Sequence, residues 1–313
     1  MKSYRGNSLG FPAWLIASSL GMLTGCGFQW PRPQTEAEAV SVVLTFDDGP
    51  LSADASADHR GEAREALLDP LRQILNVLAM RNLQAVFYIA GPGPTSDAGA
   101  LQPIWGEGVA AIHAAGHILG YHAFNHSAGI WVAPFEPPAL TIEAMTIDLD
   151  RLEQYADQAL WLFNLSRTEV FRPVFRQPYG GAIVSSREGC RVANERGWTC
   201  HGFLIDSLDW LVNADVAPDL RERVLSCAQA DTVDVVLEQL RRGAAANGCE
   251  PVVDVLLHVN QQTADHLGEW IDTLTIAFAE QGRDAVFEAP SVYLNTDMPW
   301  LDPSLLSYLS CRR

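Results

Sequence analysis

Residues 40–50 of this 313-residue chain read VSVVLTFDDGP. The segment Val40–Phe46 is a short run of apolar and β-branched residues, which is typical of a buried strand. The strand ends at two adjacent carboxylates, Asp47 and Asp48, and Gly49-Pro50 then turns the chain. Because neighbouring carboxylates repel each other, burying both requires a cation. The alternative is a solvated turn, since Asp-Gly-Pro is also ordinary loop composition.

Six more runs of strand character follow, with amphipathic stretches between them. The seven candidate strands are Val40–Phe46, Ala85–Ile89, His117–Tyr121, Val170–Phe175, Thr199–Ile205, Val252–His258 and Ala285–Glu288. Helical patterns include one with Asp69 as N-cap and Pro70 as its first residue, one over Ile142–Phe163 and one over Thr263–Gln281. Strands that alternate with helices predict an α/β fold with a mostly parallel sheet. Seven repeats favour a barrel over an open doubly wound sheet, and in both folds the functional site lies at the carboxyl ends of the strands.

The amino-terminal region has a different composition. Lys2 and Arg5 come before Phe11–Leu23, an uncharged and largely apolar run about half as long as the ~20 residues that span a bilayer. This layout is typical of a secretory signal peptide. The run ends in Leu-Thr-Gly-Cys at residues 23–26, which resembles the lipobox of bacterial lipoproteins and implies a diacylglycerol group on Cys26. The alternatives are an ordinary signal peptide with a chance cysteine and an apolar core segment.

These features predict a domain organisation. We expect residues 1–25 to be a lipoprotein signal peptide, residues 26–40 to be the lipidated cysteine and a tether, and residues 41–313 to form one domain. Two stretches have the character of insertions into that domain, at about 51–68 and 211–250.

The composition is that of a folded globular protein, with 48% hydrophobic and 19% charged residues. The formal net charge is −17. Because phosphate binding requires clustered Lys and Arg, this charge argues against a nucleic-acid partner. It also disfavours docking on anionic lipid surfaces, so the lipid anchor is the only membrane contact that we expect.

Cysteine spacing leaves the disulfide connectivity open. Beyond Cys26 the chain has Cys190, Cys200, Cys227, Cys249 and Cys311. Export implies an oxidising compartment, in which the sequence-adjacent pairs 190–200 and 227–249 are permitted and buried free thiols are the alternative. The sequence contains no C-x-x-C pair, so a thiolate metal site is disfavoured.

Histidines follow the third candidate strand. His122 and His126 are four residues apart, a spacing that lets both rings bind one metal ion. His113 and His117 have the same spacing, but a break between helix and strand separates them, so we do not expect them to converge. The alternative for His122 and His126 is a hydrogen-bonded structural role.

Three other strands end in residues with catalytic potential. The fourth leads into Arg176, the fifth into Asp209-Trp210, and the sixth ends at His258. Singly, these residues are compatible with a turn, a helix cap and a core histidine.

Together these segments resemble the five motifs of the NodB-like polysaccharide deacetylases, a family of metal-dependent carbohydrate esterases. The resemblance covers roughly residues 41–290 and implies a distorted (β/α)7 barrel in a single catalytic domain. It implies that Asp48, His122 and His126 bind a metal ion, which we expect to be Zn²⁺ or another divalent transition metal.

The same resemblance assigns the remaining roles. Asp47 corresponds to the general base and Arg176 to the residue that orients it, while His258 corresponds to the general acid and Asp209 to its charge partner. Substrate-binding positions are matched by Tyr179, whose backbone N–H stabilises the oxyanion, and by Trp210 and Leu256, which line the acetyl pocket.

Two positions depart from the family pattern. Ala123 replaces a Ser or Thr that normally braces the histidine loop, and Val259-Asn260 follows His258 where the family often has Asp. The first departure questions the support of the two histidines.

The resemblance implies a hydrolase that removes N-acetyl groups from an N-acetylglucosamine-type glycan in the cell envelope, on the outer membrane if the cell has two. The alternatives are an O-acetyl esterase, a small-molecule amidase and an inactive lipid-anchored glycan-binding protein. A non-haem iron oxygenase also uses two His and one carboxylate, but it does not explain the base and acid residues. Trp131 and Phe135 are candidates for sugar stacking, although we favour loop-core roles for both.

Overall fold

The computed structural model describes residues 38–51, 64–93, 98–126, 128–131, 138–178, 186–202, 205–207, 209, 252–280 and 283–287. The predicted signal peptide, Cys26, residues 52–63 and the insertion at 211–250 lie outside these ranges, as do Cys227, Cys249 and Cys311. None of the helices within these ranges is long and apolar enough to cross a membrane.

The described ranges contain eight strands and seven helices. The strands are β1 (Glu38–Gly49), β2 (Val86–Ile89), β3 (Ile118–Tyr121), β4 (Phe171–Phe175), β5 (Thr199–Cys200), β6 (Ile205–Asp206), β7 (Val252–His258) and β8 (Arg283–Phe287). The helices are α1 (Arg64–Met80), α2 (Ala98–Ala114), α3 (Ala128–Trp131), α4 (Pro138–Trp161), α5 (Arg167–Val170), α6 (Ser186–Glu195) and α7 (Gln261–Glu280). The strands form one parallel sheet in the order β5-β4-β3-β2-β1-β7-β6, with β8 paired to the start of β1.

The two edges of this sheet are close in sequence. Strand β5 ends at Cys200 and β6 begins at Ile205, yet the two strands lie at opposite ends of the strand order. A flat sheet of seven strands would separate its edges by about 29 Å, at roughly 4.8 Å per neighbouring pair. Five residue steps reach at most about 18 Å. The sheet is therefore curled into an incomplete barrel, which confirms the predicted (β/α)7-type fold and excludes the open sheet.

Alternation along each strand separates the barrel interior from the helical layer. On β1, Val42, Leu44 and Phe46 pack in the main core with residues of the helices. Val43, on the opposite face, packs in a smaller cluster with Val86, Tyr88 and Val174. Because side chains alternate in direction along a strand, Thr45 and Asp47 share the inner face with Val43. The end of β1 therefore presents polar groups to the mouth of the barrel.

Two predicted element boundaries are wrong. Helix α1 begins at Arg64, and Pro70 lies inside it rather than at its first position. Leu67 and Leu68 are 3% and 2% exposed, so burial of these side chains favours helix in the turn before the proline. The candidate strand Thr199–Ile205 is two strands. Strand β5 pairs with β4 at one edge of the sheet, and β6 pairs with β7 at the other edge.

Other predictions are confirmed. The apolar stripe of α7, formed by Leu267, Ile271, Leu274 and Phe278, is buried in the main core. A disulfide joins Cys190 on α6 to Cys200 on β5, which is one of the two sequence-adjacent pairings. It ties a helix to the edge strand at which the barrel closes.

Candidate active site

The two carboxylates at the end of β1 face the same side of the barrel mouth. Regular alternation would point Asp47 and Asp48 in opposite directions. Asp48 instead has a φ of 64°, in the left-handed region, and the β1–β2 register shifts between Phe46 and Gly49. Asp47 Oδ2 and Asp48 Oδ1 consequently lie 3.9 Å and 3.3 Å from Nε2 of His122. A backbone conformation that costs energy for a non-glycine residue brings both groups to one site.

Three candidate metal ligands meet at this point. Asp48 Oδ1 lies 3.3 Å from His122 Nε2 and 3.5 Å from His126 Nε2, and one ligand atom from each residue falls within 4.8 Å of the others. Ligands about 2.0–2.1 Å from a tetrahedral Zn²⁺ are separated by about 3.3 Å. The Asp48 oxygen is buried and has no hydrogen-bond partner among the described residues. The arrangement fits a metal ion.

The tautomer of His122 agrees with this interpretation. Its Nδ1 lies 2.7 Å from the backbone oxygen of Arg176, so Nδ1 carries the proton and donates it to that carbonyl. The Nε2 lone pair is then directed at Asp48 and His126, as a metal-ligating histidine requires. His117, by contrast, accepts a hydrogen bond from the backbone N–H of Ala85 through Nδ1, and burial lowers its pKa to about 4. His117 is therefore a buried structural residue.

The loop between the two histidines is braced by Asp148 of α4. The Asp148 carboxylate accepts hydrogen bonds from the backbone N–H groups of Phe124 and Asn125, at 2.9 Å and 3.0 Å. The Trp131 indole N–H donates to the Asn125 carbonyl at 3.1 Å, and this side chain is 1% exposed. Trp131 is therefore a loop-core residue. An aspartate on a distant helix supplies the bracing that Ala123 lacks.

Arg176 lies inside the barrel and contacts the base candidate. Its Nη1 donates to Asp47 Oδ1 at 3.0 Å and to Thr45 Oγ1 at 2.6 Å, and its Nη2 donates to the Gly202 carbonyl at 2.7 Å. Nη2 also contacts Asp254 Oδ2 at 2.5 Å. The side chains of Arg176 and Asp47 are 1% and 4% exposed, so this ion pair is shielded from water.

His258 is the register partner of Asp47 on the neighbouring strand β7. Its Nδ1 lies 2.7 Å from Asp209 Oδ1. Asp209 Oδ2 accepts hydrogen bonds from the His258 backbone N–H at 2.7 Å and from Thr263 Oγ1 at 2.5 Å. Burial opposes the charge on His258, but Asp209, with smaller effects of Asp48 and Asp47, outweighs it and raises the pKa of the ring to about 10. The ring is an imidazolium at neutral pH.

Asn260 shows what the second departure from the family pattern does. Its Nδ2 donates to Asp209 Oδ2 at 3.3 Å, and its Oδ1 accepts the backbone N–H of Thr263 at 2.8 Å in the first turn of α7. Asn260 therefore braces Asp209 and caps the helix that follows.

Of the remaining predicted positions, the structure describes Leu256 alone. Leu256 is buried on the inner face of β7, two residues before His258. Tyr179, Trp210 and Phe135 lie outside the described residues. Sequence patterns assigned no role to Asp148, Asp254 or Asn260, because each of them acts through a partner on another element.

Comparison with protein families gives one match. The family model of the polysaccharide deacetylases matches residues 34–200, which is more than half of the chain. The matched region contains Asp47, Asp48, His122, His126 and Arg176 and ends before Asp209 and His258. No curated protein shows significant similarity to this chain.

Three solved structures illustrate the similarity in fold. A chitin deacetylase from Colletotrichum lindemuthianum is 19% identical, with a TM-score of 0.48, covering 86% of this chain and 95% of that one. The catalytic domain of a peptidoglycan N-acetylglucosamine deacetylase from Eubacterium rectale is 17% identical, with a TM-score of 0.45 and coverage of 83% and 96%. A CE4 family pseudoenzyme from Bacillus anthracis is 16% identical, with a TM-score of 0.45, and the match covers 80% of this chain and 64% of the pseudoenzyme.

Proposed function

Because the chain belongs to the polysaccharide deacetylase family, we propose that it is a metal-dependent hydrolase that removes N-acetyl groups from an N-acetylglucosamine-type glycan. Peptidoglycan, a chitin-like polymer and an exported poly-N-acetylglucosamine are the candidate substrates. One observation carries the proposal: a metal-binding group, an arginine-paired carboxylate and a carboxylate-paired histidine converge at the carboxyl ends of β1, β3, β4 and β7.

Asp48, His122 and His126 would hold the metal ion, which we propose to be Zn²⁺ or another divalent transition metal. When bound, such an ion would polarise a carbonyl oxygen and lower the pKa of a coordinated water to about 7. Three protein ligands leave coordination positions open for water and substrate.

Asp47 is the proposed general base, which takes a proton from the attacking water. Arg176 holds the carboxylate in place through Nη1, so Asp47 is oriented before substrate binds. The proton that the leaving amine needs comes from His258 Nε2, since Nδ1 is occupied by Asp209. Acetate and a free amine are the products.

The substrate contacts extend this scheme. We assign the oxyanion N–H to Tyr179 and the walls of the acetyl pocket to Trp210 and Leu256. We further propose that residues 1–25 are removed and that lipid on Cys26 anchors the enzyme in the cell envelope, through a tether that ends near residue 40.

The first test is acetate release by the purified protein from peptidoglycan, chitin oligomers and acetylated xylan, with and without a chelator. We expect chelator-sensitive release from an N-acetylated glycan. Release from acetylated xylan alone would indicate an O-acetyl esterase, and release only from small amides would indicate an amidase. Glycan binding with no release from any substrate, while zinc is bound, would indicate an inactive binding protein.

Two variants separate the metal site from the acid. Asp48→Ala should lose zinc and activity together, because it removes a ligand. His258→Ala should keep zinc and lower kcat by roughly 100-fold or more. Zinc content measured by elemental analysis, beside kcat, distinguishes the two; full activity of Asp48→Ala would refute the assignment.

A further inference from the structure

Asp254 is a buried carboxylate with no part in the scheme above. It lies on β7, two residues before Leu256 and four before His258, so its side chain points into the barrel below the site. The residue is 0% exposed. An ionised carboxylate is strongly disfavoured at such a depth unless charged and polar partners surround it.

The charged partner of Asp254 is the arginine that holds the base. Arg176 divides its two terminal nitrogens between two carboxylates, with Nη1 on Asp47 at 3.0 Å and Nη2 on Asp254 at 2.5 Å. A guanidinium is planar and its N–H groups form a rigid fork, so holding Nη2 also sets the direction of Nη1. The carbonyl of Gly202 accepts a second hydrogen bond from Nη2, which fixes the plane.

A hydroxyl connects the two sides of the fork. Thr45 Oγ1 donates to Asp254 Oδ1 at 2.8 Å and accepts from Arg176 Nη1 at 2.6 Å. Thr45, Arg176 and Asp254 thus form a closed ring of hydrogen bonds. The ring lies one inward-facing position below Asp47 on β1, and Arg176 Nη1 connects it to the Asp47 carboxylate.

From this geometry we propose that Asp254 is a positioning residue of the reaction, which holds Arg176 so that Nη1 orients the Asp47 carboxylate. The proposal rests on the proposed function, because it requires Asp47 to act as the base. A carboxylate that merely filled the barrel interior would not need to share the cation that the base uses.

The test begins with Asp254→Asn, which keeps the shape and removes the charge. The amide accepts hydrogen bonds through Oδ1 alone and carries no charge, so Arg176 Nη2 loses its charged partner, while Thr45 Oγ1 keeps the Val255 carbonyl as an acceptor at 3.1 Å. We expect kcat to fall by roughly 10- to 100-fold, as for a displaced catalytic group. KM should change by less than about threefold and zinc content should stay the same. Unchanged kcat in a folded, zinc-loaded variant overturns the proposal.

A double-mutant cycle with Asp47→Asn separates positioning from a general structural effect. If Asp254 acts through the base, adding Asp254→Asn to Asp47→Asn should lower the residual rate by less than about twofold. If the second change lowers the rate in both backgrounds by the same factor, Asp254 acts independently of Asp47 and the proposal fails.

A matched control is Asp272→Asn on the surface. Asp272 is likewise paired with an arginine, Arg81, which donates through both terminal nitrogens at 2.7 Å and 3.0 Å, but Asp272 lies on α7 and is 60% exposed. Its substitution should leave kcat unchanged. If Asp254→Asn does not fold, Thr45→Val opens the same ring with the carboxylate in place and should lower kcat by roughly 3- to 10-fold; unchanged kcat there overturns the proposal.

Failure of the proposed function is distinguishable from failure of this inference. An unmodified protein that releases no acetate from any substrate removes the basis of both. An active unmodified protein whose Asp254→Asn variant matches it in kcat removes only the role of Asp254.

Discussion

Asp209 is buried among hydrogen-bond donors that keep it ionised. Burial opposes the charge, but His258, Thr263 and the His258 backbone N–H together lower the pKa of this carboxyl below its usual range. Ser207 adds a hydroxyl donor at 2.9 Å. The imidazolium beside it is therefore supported by a permanent negative charge.

Asp209→Asn should move the loss of activity on the alkaline side to lower pH. The pKa of His258 is raised, so the proton that it donates is present below about pH 10 and is lost as the pH rises through that value. Without the Asp209 charge, the pH at which kcat falls on the alkaline side should decrease by more than about one unit. The measurement is kcat against pH for both proteins. Ser207→Ala keeps the charge and serves as the control; coincident alkaline limbs for Asp209→Asn and wild type would contradict the assignment.

Asp148→Ala should weaken metal binding without touching a ligand. Burial raises the pKa of this carboxyl to about 6, although the N–H groups of Phe124 and Asn125 oppose the rise. Loss of these hydrogen bonds frees the loop between the two histidines, so zinc affinity should fall by about 10- to 100-fold. Competition with a chromogenic chelator measures it. Asp150→Ala, on the outer side of α4, should bind zinc like wild type.

At the scale of elements, strand β3 has a glycine where the barrel interior leaves no room. A Cβ at Gly120 would lie 2.8 Å from Val174 Cγ2 and 2.9 Å from Tyr88 Cδ1. The Tyr88 ring in turn lies under the Arg176 guanidinium, 4.3 Å from its carbon. Crowding at β3 is thus transmitted to Arg176, which is paired with Asp47.

Gly120→Ala should therefore lower both stability and kcat. Overpacking of a filled interior costs about 1–3 kcal/mol. Urea unfolding and steady-state kinetics measure the two effects. Gly99→Ala on α2, where an added Cβ has no neighbour within 4 Å, should be neutral or stabilising. Equal behaviour of the two variants would show that the interior has room.

The disulfide between Cys190 of α6 and Cys200 of β5 stabilises the edge at which the barrel closes. The two cysteines are 10 residues apart, and a loop of this length corresponds to about 2–3 kcal/mol in the chain-entropy account. The double variant Cys190→Ser/Cys200→Ser should lose that much in the free energy of unfolding, measured in urea. Reductant should lower the stability of wild type by a similar amount; wild-type stability in the double variant would contradict this role.

At the scale of the molecule, metal binding should be coupled to folding. The ligands come from the ends of β1 and β3 and meet only in the folded sheet. Zinc at 100 times its dissociation constant should therefore raise the free energy of unfolding by about 2.7 kcal/mol. Thermal unfolding with zinc and with chelator checks this, and Asp48→Ala should show no such difference. A zinc-induced rise in Asp48→Ala would place the stabilising ion elsewhere.

The sequence predicted the positions at strand ends better than the contacts below them. Asp47, Asp48 and His258 follow apolar runs, and parallel strands bring their carboxyl ends together whatever else the fold does. Asp254 lies inside a strand, and only the barrel closure places Arg176 against it. Pro70 is a strong local signal for a helix start, yet burial of the leucines before it extends the helix.

The partners of the central strand β1 determine how late in the synthesis of the chain the site can form. Strand β1 pairs with β7 and β8, from the far end of the described chain, and Thr45 bonds Asp254 across 209 residues. Contacts of such separation form late, because a long loop must close before they are gained. A chain that emerges amino-terminus first thus exposes Asp47 and Asp48 before Asp254 and His258 have been made. The cluster at the mouth of the barrel can form only after residue 258 has left the ribosome.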